Sequence, residues 1–290
     1  MNGFDFDMSL FSGTGLYVLV GIVGACVGSF LNVVIHRLPA MLEYQWHCHC
    51  QEALGGHVSS SPPDNLMRPR SRCTHCGSQV KAQNMVPLVS YFLLKGKCAS
   101  CGQAISLRYA VVEWVSFGLS LYAVYVFGPS IALVFSLVFC WLLVALFFID
   151  METQLLPDCL TLPLLWMGVL ANYFALFTSL ESSVLGAILG YLVFWLIYQI
   201  HHLTTGKQGM GRGDFKLLGA VGAWVGWELL PFVILAASVC GTLFALSGIL
   251  LKKYSAHSPI AFGPFLAGAG CWALFWGDQL ITGYASFIGL

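Results

Sequence analysis

Two aspartates, Asp150 and Asp214, are the residues of this chain best suited to acid–base chemistry. Asp150 ends the apolar run 131–149, and Asp214 begins another apolar run after the glycine-spaced segment 209–213. A carboxylate at the edge of hydrocarbon is costly, so it is a functional-site candidate by default. Two close carboxylates cannot easily both ionise, so one holds a proton while the other accepts one from water. The pair therefore predicts acid–base chemistry on a substrate in the membrane.

Structural alternatives exist for each of these acidic residues. Asp150 could pair with a Lys or Arg at the interface or cap a helix, and Asp214 could be the N-cap of the helix that follows it. Asp158, which also begins an apolar run, is expected to have a structural or supporting role. Lys216 could pair with Asp214 or meet acidic groups of a substrate, or it could extend to lipid phosphate.

Four cysteines form two C-x2-C pairs in a polar segment: Cys73, Cys76, Cys98 and Cys101. Two such pairs can meet across a hairpin and offer four thiolates to tetrahedral zinc. With all four positions filled, the ion would be structural, because no coordination site stays open for catalysis. The segment between the pairs is slightly longer than the usual ~15–20 residues. A disulfide or redox role is the alternative, but cytosolic thiols are normally kept reduced.

A second group of ligand-type side chains lies at residues 47–50, where His and Cys alternate. In an extended segment, alternate side chains point to opposite sides. We therefore interpret this group as an amphipathic entry segment, with a second metal site as the alternative.

Composition identifies the class of protein that must position these groups. Of the 290 residues, 58% are hydrophobic and only 9% are charged, whereas soluble domains have ~25% charged residues. The chain is therefore expected to be an all-α polytopic membrane protein. Its formal net charge is zero, so no nucleic-acid partner is indicated.

Hydropathy predicts about eight transmembrane helices, each near the ~20 residues that cross a bilayer: 16–35, 109–127, 131–149, 160–177, 184–200, 215–227, 231–251 and 260–277. With eight spans, all 13 Lys and Arg residues fall on one side. The positive-inside rule makes that side cytoplasmic and puts Asp150 and Asp214 there. The predicted division is a first transmembrane helix in 1–36, a small zinc-knuckle cytoplasmic domain in 37–108, and a seven-helix membrane domain in 109–290.

Motifs along nearly the whole chain then carry a family resemblance. They are segments 28–39, 87–91, 96–98, 149–150, 156–158, 211–216 and 262–264, with the four cysteines, Arg108-Tyr109 and Glu113. In this order and spacing, they resemble the bacterial type IV prepilin peptidases. Two details depart from that family's usual pattern: Thr74 stands where a proline often follows the first cysteine, and a tryptophan usual near residues 83–87 is absent.

The resemblance implies a membrane aspartyl protease of the GxGD type in the bacterial inner membrane, with Asp150 and Asp214 as its catalytic pair. It implies cleavage of short basic leaders from type IV prepilins or pseudopilins, and methylation of the new N-terminus with S-adenosylmethionine. No strand–G-x-G-x-x-G–helix unit accompanies that cofactor, so methyl transfer rests on the resemblance alone. The rival hypothesis is a transporter or channel with a zinc-stabilised cytoplasmic domain.

Overall fold

The structure, a computed structural model, describes residues 13–55, 61–73, 75–206, 211–252 and 260–288. These residues form nine α-helices and one 3-10 turn, Ala82–Met85. The helices are α1 (Thr14–Ala53), α2 (Val89–Leu93), α3 (Leu107–Phe127), α4 (Ile131–Thr153), α5 (Asp158–Tyr173), α6 (Leu180–Thr205), α7 (Arg212–Val225), α8 (Leu230–Leu250) and α9 (Gly263–Ile288). The predicted all-α class is confirmed.

Each of the eight predicted spans corresponds to one helix, α1 or α3 to α9. Among the described residues, five helices are long and apolar enough to cross a membrane: α1, α3, α4, α6 and α8. Helices α5 and α7 are shorter, with 16 and 14 residues. A helix of 14 residues is about 21 Å long, less than the ~30 Å of hydrocarbon. Helix α7 therefore needs other protein around its ends.

The chain divides into two compact units, Met1–Pro129 and Ser130–Leu290. In the first unit, α1 packs along α3. Close approach is possible because glycines of α1 face small side chains of α3. Gly24 lies against Ser120, and Gly28 lies against Ser116 and the backbone of Glu113. Small residues of this kind allow membrane helices to approach closely.

Helix α7 is the centre of the second unit. It packs against α5, α6 and α9, and nearly every residue from Asp214 to Val225 is buried. Its backbone meets that of α6 at Gly186 and Gly222, where neither helix has room for a Cβ atom. Asn172 of α5 donates to the carbonyls of Ala223 and Trp224 at 2.8 and 3.1 Å. These contacts fix α7, and with it Asp214, inside the unit.

Candidate functional site

The two aspartates lie at opposite kinds of helix end, Asp150 at the C-terminal end of α4 and Asp214 at the N-terminal end of α7. Asp150 lies in the last turn of α4, where its carbonyl accepts the N–H of Gln154, the left-handed residue that ends the helix. Asp214 lies in the first turn of α7, close to the helix N-terminus, which favours negative charge. Both side chains are buried, with 5% and 8% of their surface exposed. Asp150 also lies near enough for its charge to act on Asp214.

Gly263 and Leu156 form a series of packing contacts that leads from Asp150 to the glycine beside Asp214. Gly263, the first residue of α9, lies directly on Asp150: a Cβ atom at this position would be 2.6 Å from Asp150 Oδ2. The same Cβ would lie 3.2 Å from Leu156, and a Cβ on Gly213 would lie 2.8 Å from Leu156. Leu156 therefore fills the space between the glycine beside Asp214 and the glycine on Asp150.

One oxygen of this site has no partner within the described part of the chain. Asp150 Oδ2 is buried and makes no hydrogen bond to another described residue, although the Gly263 backbone faces the same carboxyl group. Buried polar atoms are normally hydrogen-bonded to protein or water. Water or a polar group of a substrate would satisfy this oxygen.

The helix-cap alternative for Asp214 is wrong, and Asp158 is not a helix cap either. The N-cap of α7 is Gly211, and Asp214 follows inside the first turn. The N-cap of α5 is Pro157, and Asp158 is the first helical residue. Gly213 is helical as well, so the backbone is not unwound at this glycine. Its lack of a side chain instead permits the close contact with Leu156.

Lys216 pairs with Asp158 in the structure. Its Nζ atom lies 2.6 and 2.8 Å from the two carboxylate oxygens of Asp158. This ion pair joins the first turns of α5 and α7 and agrees with the supporting role expected of Asp158. The carboxylate of Asp214 is thereby left without this lysine as its counter-ion.

The Asp158–Lys216 pair is expected to contribute little to stability. The two side chains are 56% and 34% exposed, and exposed ion pairs contribute about 0–1 kcal/mol because water screens them. Changing Asp158 to Asn should lower the free energy of unfolding by less than about 1 kcal/mol. Thermal unfolding of the detergent-purified protein would measure this, and a loss of the folded state would show a larger structural role.

The four cysteines converge as predicted. Their sulfur atoms all lie within 4.8 Å of one another, and Sγ of Cys73 is 3.9 Å from Sγ of Cys101. Tetrahedral zinc with Zn–S bonds of ~2.3 Å requires sulfur atoms about 3.8 Å apart. The arrangement thus fits a metal ion, and no other such group of three or more ligands occurs in the described ranges.

Each cysteine pair is built by the same tight turn. The N–H of Gly77 donates to the Cys73 carbonyl and that of Gly102 to the Cys98 carbonyl, both at 2.9 Å. Both glycines have positive φ, 68° and 72°, a conformation that side chains disfavour. The sequence signal for this turn is therefore C-x2-C-G, and its glycine is not apparent from the cysteine spacing alone.

Backbone N–H groups in the second turn stabilise the thiolate form of Cys98. Those of Cys101 and Ser100 face the Cys98 sulfur and lower the pKa of this thiol to about 6. In the first turn, the Ser78 hydroxyl, 3.0 Å from the Cys76 sulfur, lowers the pKa of that thiol too. Metals bind thiolates, so donors aimed at sulfur favour the metal-binding form.

Residues 47–50 are helical, so the expectation of an extended segment is wrong. Helix α1 continues through Ala53, and this His/Cys group lies in its last two turns. Successive helical residues project in different directions around the axis. The described structure gathers no three of these side chains into a ligand cluster.

The fold and the site together define a polytopic α-helical membrane protein with a buried aspartate pair and a four-cysteine cluster. The profile described as the type IV leader peptidase family matches residues 137–246, which include both aspartates. The profile of the bacterial peptidase A24 N-terminal domain matches residues 22–127, which include all four cysteines.

Whole-length relatives agree with these matches. The chain is 46% identical over 271 residues to a prepilin leader peptidase/N-methyltransferase of Pseudomonas aeruginosa, covering 92% of this chain and 93% of the relative. It is 46% identical over 270 residues to one of Aeromonas hydrophila (92% and 93% covered). It is 42% identical over 275 residues to one of Legionella pneumophila (94% and 95%). No solved structure matches the chain significantly. The chain belongs to the type IV leader peptidase family.

Proposed function

We propose that this protein is a membrane aspartyl endopeptidase that removes leader peptides from type IV prepilins or pseudopilins and methylates the new N-terminus. The single observation that carries the protease activity is the buried pair of carboxyl groups where α4 ends and α7 begins. Relatives that match more than nine-tenths of the chain are named for both activities. The same names speak against a transporter or channel.

Asp150 and Asp214 would act as one unit. Because two close carboxylates share a proton, the charged member can take a proton from water while the neutral member donates to the scissile carbonyl. The unpartnered Oδ2 atom of Asp150 supports a water or carbonyl position at that carboxyl group. Gly263 and Gly213, which have no side chains, allow Leu156 and the Asp150 carboxyl group to pack closely around the site.

The location of the site would suit a substrate that enters from one membrane face. All 13 basic residues fall on the side of the aspartates when the chain crosses eight times, which supports a cytoplasmic active site in the inner membrane. A leader in the cytoplasm, followed by a pilin helix in the bilayer, would bring the scissile bond to the depth of Asp150 and Asp214.

One measurement tests both activities. Detergent-purified protein is incubated with a prepilin, and the product mass is read with and without S-adenosylmethionine. Loss of the leader in both samples and a gain of one methyl group only with the methyl donor are expected. Ion flux in liposomes without peptide cleavage would contradict the proposal in favour of a transporter or channel.

Cys73, Cys76, Cys98 and Cys101 would hold structural zinc. Bound zinc would tie the two cysteine turns together, because each supplies two of its four ligands. We expect about one zinc ion per purified chain, and its loss when Cys73 is changed to Ala. Elemental analysis would measure the content. Cys48→Ala is the matched control, because Cys48 lies outside the cluster in α1; equal zinc loss in both variants would contradict this assignment.

A further inference from the structure

We propose that residues 82–94, between the two cysteine pairs, form a re-entrant element that inserts into one leaflet of the bilayer. The element consists of the 3-10 turn Ala82–Met85, a tip at Val86–Leu88 and the short helix α2. Its partner is the bilayer itself: the acyl chains of phospholipids contact its outer face. Glu113 of α3 anchors the tip.

The anchor lies at membrane depth. Helix α3 is long and apolar enough to span the bilayer, and Glu113 lies about 9 Å along its axis from Leu107. Oε2 of Glu113 accepts the backbone N–H of Leu88 at 2.8 Å, and the Ser29 hydroxyl of α1 faces the same carboxylate. The tip of the element therefore lies beside the second turn of α3 rather than above the helix.

Residues of the element before and after Leu88 also contact α3, at Glu113's own turn and deeper along the helix. The ring of Phe92 packs edge-on against Trp114 with 6.3 Å between ring centroids. Val86, Pro87 and Leu88 line an apolar cavity of about 470 Å³ together with Phe117 and Leu121, one and two turns beyond Glu113. The far wall of this cavity is α1, from Tyr17 to Cys26.

The outer face of the element is apolar and exposed. Val89, Phe92 and Leu93 expose 50%, 63% and 76% of their surface. Exposed apolar patches mark contact with protein or membrane. Because Leu88 lies beside the second turn of a membrane-spanning helix, the membrane is the favoured partner. Exposed Lys81, Lys95 and Lys97 flank the element, and lysines in such positions extend to anionic headgroups.

The backbone of the tip meets the requirement of a non-aqueous medium. Irregular backbone at this depth is tolerated where protein surrounds it, and Pro87 and Leu88 are half-buried against α1 and α3. Leu88 has a positive φ of 64°, and its N–H is bound by Glu113. Val89 N donates to the Pro87 carbonyl at 2.7 Å and Ser90 N to that of Val86 at 3.1 Å. Pro87 itself has no N–H to satisfy.

The cysteine turns hold the two ends of the element together. Before it, Val80 N donates to the Ser71 carbonyl at 2.9 Å, and after it, Ile105 N donates to the Gly96 carbonyl at 2.7 Å. Since the four sulfur atoms also converge, chain entry and exit are fixed at one polar base. The segment between the two C-x2-C pairs, residues 77–97, thus contains the whole inserted element.

Depth measurements on the full-length protein test the proposal. A fluorescent amino acid is placed genetically at Leu93, or as a control at the exposed Gln103 of the second cysteine turn. The protein is reconstituted in phosphatidylethanolamine–phosphatidylglycerol nanodiscs. We expect acyl-chain nitroxide lipids to quench the Leu93 probe and aqueous iodide to spare it, with the reverse at Gln103. Iodide quenching of both probes would overturn the proposal, as would a Leu93 probe shielded from both quenchers by a second copy or another protein.

Substitution of Glu113 tests the anchor separately. Glu113→Gln keeps an oxygen that accepts the Leu88 N–H, whereas Glu113→Leu removes it. We expect the Leu93 probe to lose its protection from iodide in Glu113→Leu but to retain it in Glu113→Gln, with the same zinc content in both variants. Unchanged protection in Glu113→Leu would refute the anchoring role of Glu113. Whether the element inserts is decided by the quenching experiment on the wild-type protein.

Discussion

Replacing Asp214 with Asn will lower the rate of leader removal by about 10³-fold or more, and Asp150→Asn will do the same. General acid–base catalysis by a positioned side chain contributes about 10²–10⁴-fold. An amide cannot take a proton from water, and it cannot share a proton with the remaining carboxylate. Cleavage of a purified prepilin by purified variants, followed by mass spectrometry, measures the loss.

The double variant distinguishes a catalytic pair from two independent residues. Since the carboxyl groups act as one unit, removing both should cost little more than removing either. Asp158→Asn is the matched control, because Asp158 is an aspartate near the same end of the unit but pairs with Lys216. This control should keep most of the activity. Cleavage retained by Asp214→Asn, or lost equally in the control, would refute the assignment.

The helices and the cysteine cluster were predictable because their signals are local or repeat along the chain. A span is recognised from its own apolar composition, so each of the eight predicted spans matches a helix. The C-x2-C spacing likewise indicates its turn, and the sulfur atoms converge. Boundaries were less accurate: α1 was expected to end near residue 35 but continues to Ala53. A polar amphipathic continuation has no hydropathy signal of its own.

Partner choice was not predictable, since it depends on how distant segments pack. Lys216 had Asp214 close to it in sequence, yet it pairs with Asp158 at the start of another helix. The contact of Gly263 with Asp150 joins residues 113 positions apart in helices α9 and α4. The sequence marked Gly263 only as part of a family motif. Its physical role became visible when α9 was found against that carboxyl group.

Changing Gly263 to Ala is expected to lower the rate of leader removal by about 10²-fold while the protein stays folded. The new methyl group would lie 2.6 Å from Oδ2 and 3.0 Å from Cγ of Asp150, distances shorter than van der Waals contact. The carboxyl group is the closest neighbour of the methyl and must move most, because Leu156 lies farther away at 3.2 Å. Asp150 must then rotate away, and displacement of a catalytic group by ~1 Å can cost 10²-fold.

Gly268→Ala is the matched control, because it adds the same methyl group to the same helix. No described atom outside its own helix turn lies within 4 Å of a Cβ at Gly268, and this residue is exposed. In a helix interior, alanine is favoured over glycine by ~1 kcal/mol, so Gly268→Ala should fold at least as readily as the parent. Steady-state kinetics should show a fall in kcat for Gly263→Ala alone, with zinc content equal in the two variants. Equal activity of the two variants would mean that Asp150 tolerates the displacement, and that the close contact with Gly263 does not set its catalytic position.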